Sequence, residues 1–207
     1  MNKAWVIVPV KAFGVAKQRL AAVLDSDQRS RLGKAVASKT IAAFTSAGAH
    51  VVVVTADRDV QVWATHLGCV VIPEQPDVFG PGLNGAIAAG CAAASAAGCR
   101  WLAVHADLPL IRPADARVCL DAFTATEHGV IVPSRDGGTN ILGGVHGFAR
   151  EAIHFKYGLG SFSLHRRQIP LATVLVSPNL TIDLDSTIDL EAVRRHRNGI
   201  WIETVIR

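Results

Sequence analysis

The segment WLAVHADLPLI, residues 101–111, sets a single carboxylate, Asp107, directly behind an apolar run. Trp101 to His105 is apolar without alternation and lies between Gly98 and Pro109, the pattern of a short strand buried on both faces of a sheet. Such strands belong to α/β architectures, whose ligands gather outside the carboxyl ends of the strands. Asp107 stands at such an end. Two readings of it remain open here: a group that takes part in chemistry, and a loop aspartate held by local hydrogen bonds.

The same pattern recurs outward along the chain. Strand-like runs at about 4–10, 51–55, 69–72, 129–133 and 172–176 join the one at 101–105. Between them lie helix-like segments at about 27–47, 58–67, 83–97, 114–126 and 186–197. This alternation predicts a mixed, mainly parallel sheet with helices on both faces. The punctuation agrees: Asp25 with Gln28 makes a capping box, Gly48, Gly68 and Gly98 follow three helices, and Pro113 suits a first helical turn. The rhythm breaks at about 134–171, where SRDGGTNILGGVHGF reads as a loop with a short strand and YGLGSFSLHRRQ as a glycine turn opening a short helix. The final GIWIETVIR reads as an extended segment. One domain over 1–207, with an insertion that builds specificity, is the expectation for 207 residues of which 50% are hydrophobic.

No apolar run reaches the roughly 18 residues of a membrane helix, and WVIVPV is too short for a signal core. Cys69, Cys91, Cys99 and Cys119 contain no CxxC pair and read as small hydrophobes within strands and helices, which suits a reducing cytoplasm and no zinc. A formal charge of +4 and a pI near 9.1 favour an anionic partner. A nucleic acid is not expected, because no aromatic residues interleave with the basic ones and no binding motif is present.

The first strand runs into PVKAFGVAKQRL, which places Lys11, Lys17 and Arg19 in or just after the first βα loop. Cations there suit a polyphosphate, although a solvated basic loop has the same composition. No GxxxxGK[ST] occurs, which argues against a P-loop enzyme. GPGLNG, residues 80–85, spells a dinucleotide fingerprint, and a nicotinamide oxidoreductase is therefore a rival. Against it, the glycines follow the third strand and Pro81 removes a backbone donor. The same stretch otherwise starts a helix, with Asn84 in its first turn able to hold a sugar hydroxyl or phosphate oxygen. Near the C-terminus, LTIDLDSTIDL sets Asp183 and Asp185 at a period of two on one face of an extended segment. Asp185 suits a helix N-cap, and Asp183 at a strand end has no structural role. Asp107 and Asp183 together have the donor chemistry for magnesium. His105 reads as a packed core residue, and His165 beside Arg166 and Arg167 as either an anion contact or part of a basic helix face.

VIVPVKAFGVAKQRL, GLNGAI, ADLPLI, DGGTNIL, YGLGSFSLH and IDLDSTIDL stand in this order from residue 6 onward. In order and spacing the chain resembles the 2-phospholactate/phosphoenolpyruvate guanylyltransferases of deazaflavin coenzyme (factor 420) biosynthesis. The resemblance implies a Rossmann-like nucleotide-diphospho-sugar-transferase fold and magnesium-dependent transfer of GMP from GTP to a phosphorylated three-carbon acid. It also implies Asp107 and Asp183 as metal ligands, and Lys17 and Arg19, with Lys11, as triphosphate contacts. Gly82, Leu83, Asn84 and Gly85 would form part of the nucleoside pocket, and Thr139, Gly158 and Ser161 would hold the carboxylate of the acid. Ala12 stands where the family often has Pro, and GLGSFSLH where it has a GPGSFARH-like stretch. The second departure leaves open whether 2-phospholactate, phosphoenolpyruvate or 3-phosphoglycerate is the acceptor. Glu74 and Asp77 are equal candidates for reading guanine. A molybdopterin guanylyltransferase is the nearest alternative, a homodimer is the default assembly, and hand-over of product to the next transferase of the pathway is a further partner expectation.

Overall fold

The computed structural model describes residues 4–144 and 153–207. Strands β1 (Ala4–Pro9), β2 (His50–Thr55), β3 (Val70–Pro73), β4 (Arg100–Val104), β5 (Val130–Pro133), β6 (Thr139–Gly143) and β7 (Thr173–Val174) form one sheet in the order β3-β2-β1-β4-β6-β5-β7. All pairings are parallel except those of β6, which runs against β4 and β5. The reversal follows from the five residues between β5 and β6, too few for a crossover but enough for a hairpin. Gly137 supplies the positive φ of 87° that this turn needs, and Ser134 N–H donates to the Gly138 carbonyl across it.

The helices are α1 (Ser26–Ser46), α2 (Arg58–His66), α3 (Pro76–Phe79), α4 (Gly82–Ala96), α5 (Pro113–Thr124), α6 (Ser161–Gln168), α7 (Pro178–Thr181), α8 (Thr187–Arg195) and α9 (Ile202–Ile206). Alternate residues of the strands feed two cores, as the period of two requires. Val6, Val8, Val51, Val53, Leu102 and Val104 pack against Ile41 and Phe44 of α1, Val60 and Trp63 of α2, and Cys119 and Phe123 of α5. Ile7, Val52, Val54, Trp101 and Ala103 pack on the other face against Ala86, Ile87, Cys91 and Ala94 of α4. The Asp25–Gln28 capping box, the positive φ of Gly48, Gly68 and Gly98, and Pro113 at the start of α5 are as the sequence predicts.

Three expectations need correction. The C-terminal segment ends in helix α9, because Ile202 and Ile206, four residues apart, bury together with Leu20, Leu32 and Val36. Packing there overrides the strand preference of its β-branched residues. The strand expected at 172–176 is regular only at Thr173–Val174. Cys91 and Cys119 are buried within helices, but Cys69 and Cys99 are half-buried just ahead of β3 and β4. The part of the expected insertion at 145–152 lies outside the described residues, among which no helix is long and apolar enough to cross a membrane.

Candidate active site

Strands β1 and β4 are central neighbours, with β2 and β3 on one side and the remaining strands on the other. The chain therefore diverges past their carboxyl ends and leaves a crevice, the usual ligand position in open α/β sheets. A cleft of about 460 Å³ lies there. It is lined by Lys11, Lys17 and Arg19 from the loop after β1, by His105 and Asp107 after β4, and by Ser134 and Thr139 of the hairpin. Gly158, Leu159, Ser161, Asp183 and Asp185 also line it, as do Glu74, Gly82 and Leu83.

The loop after β1 is built from two short 3-10 turns, Phe13–Val15 and Gln18–Leu20, with Lys17 between them. Its φ of 54° and ψ of 38° are left-handed, the one such non-glycine conformation among the described residues. That conformation turns the ammonium inward, where it donates to Asp107 Oδ2 at 2.8 Å and Asp185 Oδ1 at 3.2 Å. Burial alone would lower the Lys17 pKa, but the two carboxylates outweigh it and hold the ammonium charged above its usual range. Burial likewise opposes ionisation of Asp107, yet Lys17 foremost, with His105 and hydrogen bonds, keeps its pKa below the ordinary carboxylate value.

Asp183 and Asp185 flank Leu184, whose N–H donates to the Asp107 carbonyl at 3.0 Å. This stitch brings both side chains to Asp107 without any strand, so the period-of-two reading holds although the expected strand does not. Asp185 is not the cap of α8. Ser186 is, accepting from Asp189 N–H while Asp189 accepts from Ser186 N–H. The S-x-x-D spacing carried that signal in the sequence. Released from capping, Asp185 joins the site, and oxygens of Asp107, Asp183 and Asp185 lie within 4.8 Å of one another. Asp183 has a partner too, Ser134 Oγ. Its pKa is pushed up to about 6, by burial first and then by the Asp107 charge, against the Ser134 hydrogen bond.

The donor set fits a hard cation. All three groups are carboxylates, one ammonium leaves them with excess negative charge, and the buried Oδ1 of Asp107 has no hydrogen-bond partner. Oxygen-only ligation is what magnesium takes.

The positive φ of Gly158 (130°) and Gly160 (69°) turns the chain so that Ser161 opens α6. Ser161 and Thr139 are buried, their hydroxyls 3.3 Å apart. His165 is buried as well and bonds Thr139 Oγ1 at 3.0 Å, so it belongs to neither a surface anion contact nor a basic helix face. His105 lies just past its strand and lines the cleft, its Nδ1 4.0 Å from Asp107 Oδ1.

Of the turn at the start of α4, Gly82 and Leu83 line the cleft but Asn84 and Gly85 do not. Asn84 Oδ1 instead accepts from Tyr157 N–H at 2.8 Å, tying α4 to the loop before Ser161. A Cβ on Gly85 would stand 1.7 Å from the Gly80 carbonyl oxygen, which makes this a packing glycine. Glu74 lines the cleft and Asp77 does not, which separates two residues that the sequence left equal.

Compared with known proteins, the chain matches the family described as CofC-like guanylyl transferases over residues 4–206. The chain belongs to that family. Among curated members, the phosphoenolpyruvate guanylyltransferase of Salinispora arenicola is 34% identical over 201 residues, covering 94% of this chain and 90% of that protein. The 2-phospho-L-lactate guanylyltransferase of Methanothermobacter thermautotrophicus is 29% identical over 209 residues, covering 99% and 90%. Among solved structures, one described as a nucleotide-diphospho-sugar transferase from Desulfovibrio desulfuricans G20 superposes with a TM-score of 0.72 at 17% identity, covering 100% of this chain and 98% of its own. That likeness bears on the fold. As a CofC-like guanylyl transferase the protein is an enzyme of the nucleotidyltransferase class, and the oxidoreductase reading of GPGLNG is not favoured. In keeping with this, α3 separates that turn from β3, and the loop directly after β1 carries the basic residues instead.

Proposed function

We propose that the protein transfers GMP from GTP to the phosphate of a phosphorylated three-carbon acid, releasing pyrophosphate, as a cytoplasmic step of deazaflavin coenzyme biosynthesis. The observation that carries this reading is one cleft lined by three cations, three mutually close carboxylates and a buried pair of hydroxyls. The names of the relatives, which act on phosphoenolpyruvate and 2-phospho-L-lactate, support the acceptor class.

Two polyanions must approach each other, so the chemistry is mostly charge neutralisation and in-line placement. An oxygen of the acceptor phosphate attacks the α-phosphorus of GTP, and the bond from that phosphorus to the bridging oxygen of the β-phosphate breaks. The acceptor phosphate, with a second pKa near ~6, is largely dianionic at neutral pH. No general base is therefore needed. Asp107, Asp183 and Asp185 would hold magnesium, which when bound neutralises phosphate oxygens in the transition state. Lys11, Lys17 and Arg19 stabilise the departing pyrophosphate. Thr139, Gly158 and Ser161 receive the carboxylate of the acid, and Gly82 and Leu83 flank the nucleoside. We assign Glu74 to guanine, whose N1–H and N2–H suit a carboxylate where adenine offers none in that arrangement. A homodimer and direct hand-over of the guanylylated product to the next transferase belong to the same reading.

The test is pyrophosphate release from GTP and magnesium with 2-phospholactate, phosphoenolpyruvate and 3-phosphoglycerate offered separately. A parallel set contains the next pathway enzyme to draw unstable product forward. Release dependent on one acid is expected. Silence with all three, from folded protein that binds GTP, would refute the reading.

A further inference from the structure

His165 is buried and does not line the cleft, and both its ring nitrogens are engaged. Nε2 lies 3.0 Å from the backbone nitrogen of Lys156. An amide N–H only donates, so Nε2 is unprotonated, and a neutral ring then carries its hydrogen on Nδ1. Burial foremost, and then His105, lowers the pKa of His165 to about 4, which keeps the ring neutral near pH 7. Nδ1–H therefore donates to Thr139 Oγ1 at 3.0 Å.

The direction of that bond decides what the hydroxyl pair offers to the cleft. Thr139 and Ser161 have one hydroxyl hydrogen each, and one of the two is used in the 3.3 Å bond between them. Were His165 the acceptor, Thr139 would donate to the ring and Ser161 to Thr139, and neither hydrogen would remain for a ligand. With His165 as donor one hydroxyl hydrogen stays free, on a pair that lines the cleft. An anionic acceptor needs a donor there, and a buried hydroxyl offering only lone pairs would repel it.

We propose that His165 is a positioning residue for the acceptor: locked by the Lys156 amide as the Nδ1–H tautomer, it directs one hydroxyl hydrogen of the Thr139–Ser161 pair toward the acid. The proposal rests on the reading that this pair receives the acceptor. Tyr157 supports the arrangement mechanically, its ring packed edge-on against His165 with centroids 4.7 Å apart. Because the Tyr157 N–H is held by Asn84, the start of α4 and the His165 relay are anchored to the same short segment.

Two substitutions separate the two nitrogens. His165→Gln keeps an acceptor within reach of the Lys156 amide and loses the donor at the Nδ1 position, whereas His165→Asn keeps a carboxamide donor there. The glutamine variant is expected to raise the KM for the acid about tenfold or more with the KM for GTP nearly unchanged, and the asparagine variant to recover most of the loss. In the unmodified protein, ¹⁵N NMR of the His165 ring should show the Nδ1–H tautomer. An Nε2–H tautomer, or a folded glutamine variant whose acid KM is unchanged or rises only in step with that for GTP, would overturn the proposal. If the glutamine variant does not fold, the tautomer spectrum decides. Absence of turnover by the unmodified protein with all three acids sinks the underlying reading as well. That result is distinct from failure of the proposal alone, in which the unmodified protein turns over.

Discussion

At Lys17 the backbone adopts a left-handed conformation that costs a non-glycine residue about 1–2 kcal/mol. The ammonium it places bridges Asp107 and Asp185, two carboxylates that would otherwise repel each other. The strain thus belongs to the charge arrangement of the cleft. Asp107 is the centre of that arrangement, since it touches Lys17 through one oxygen while the other accepts no hydrogen bond. Asp107→Asn preserves its shape and removes its charge. Turnover is expected to fall at least about a hundredfold, on the order of 3 kcal/mol of transition-state stabilisation, while the melting temperature stays close to that of the unmodified protein. Near-normal turnover in a folded variant would remove Asp107 from the chemistry.

At the scale of elements, helix α4 owes its place to small residues. Its sequence GLNGAIAAGCAAASA lets the helix approach the sheet closely over β1 and β2. A Cβ at Gly90 would stand 2.3 Å from Ile7 Cγ2 and 2.9 Å from Val54 Cγ2, both on residues with no exposed surface. Gly90→Val should therefore destabilise the fold by about 1–3 kcal/mol, because overpacking outweighs any gain from removing a helical glycine. Urea denaturation measures it. An unchanged midpoint would mean that α4 lifts from the sheet freely. The start of α4 also supplies Gly82 and Leu83 to the cleft, so a displaced helix should raise the KM for GTP.

At the scale of the whole molecule, buried His165 and half-buried Asp183 give the pH dependence opposite signs. His165, with its pKa lowered to about 4, stays neutral in the folded chain while the unfolded chain takes up a proton near ~6.5, so stability falls as pH drops from there towards 4. Asp183, raised to about 6, takes up a proton in the folded chain before the unfolded chain does, so stability rises as pH drops from about 6 towards its ordinary range. Without a divalent cation these contributions largely oppose each other. Removing the histidine isolates its share: between pH 7 and 4, His165→Gln should gain stability relative to the unmodified protein, on the order of 3 kcal/mol. Equilibrium denaturation across that range checks it, and a constant difference would show that His165 is protonated in the folded state.

The sequence by itself determined the layered α/β architecture, because uninterrupted apolar runs such as WVIVP and WLAVH can be buried only as strands covered on both faces. It also determined the βα loops in which Lys11, Lys17, Arg19 and Asp107 lie, since glycine, proline and capping residues are local signals. Tertiary structure decided what depends on contacts between distant segments. Asp185 meets Lys17 across 168 positions of chain, and His165 meets Thr139 across 26. No local periodicity encodes such meetings, and a capping pattern one residue further on was the sole hint that Asp185 was free. The presence of Glu74 rather than Asp77 at the cleft and the diversion of Asn84 to Tyr157 depend in the same way on which side chains a folded loop turns inward. The terminal helix shows the limit from the other side: the β-branched residues of GIWIETVIR favour a strand in isolation, and burial of Ile202 and Ile206 beside α1 outweighs that preference.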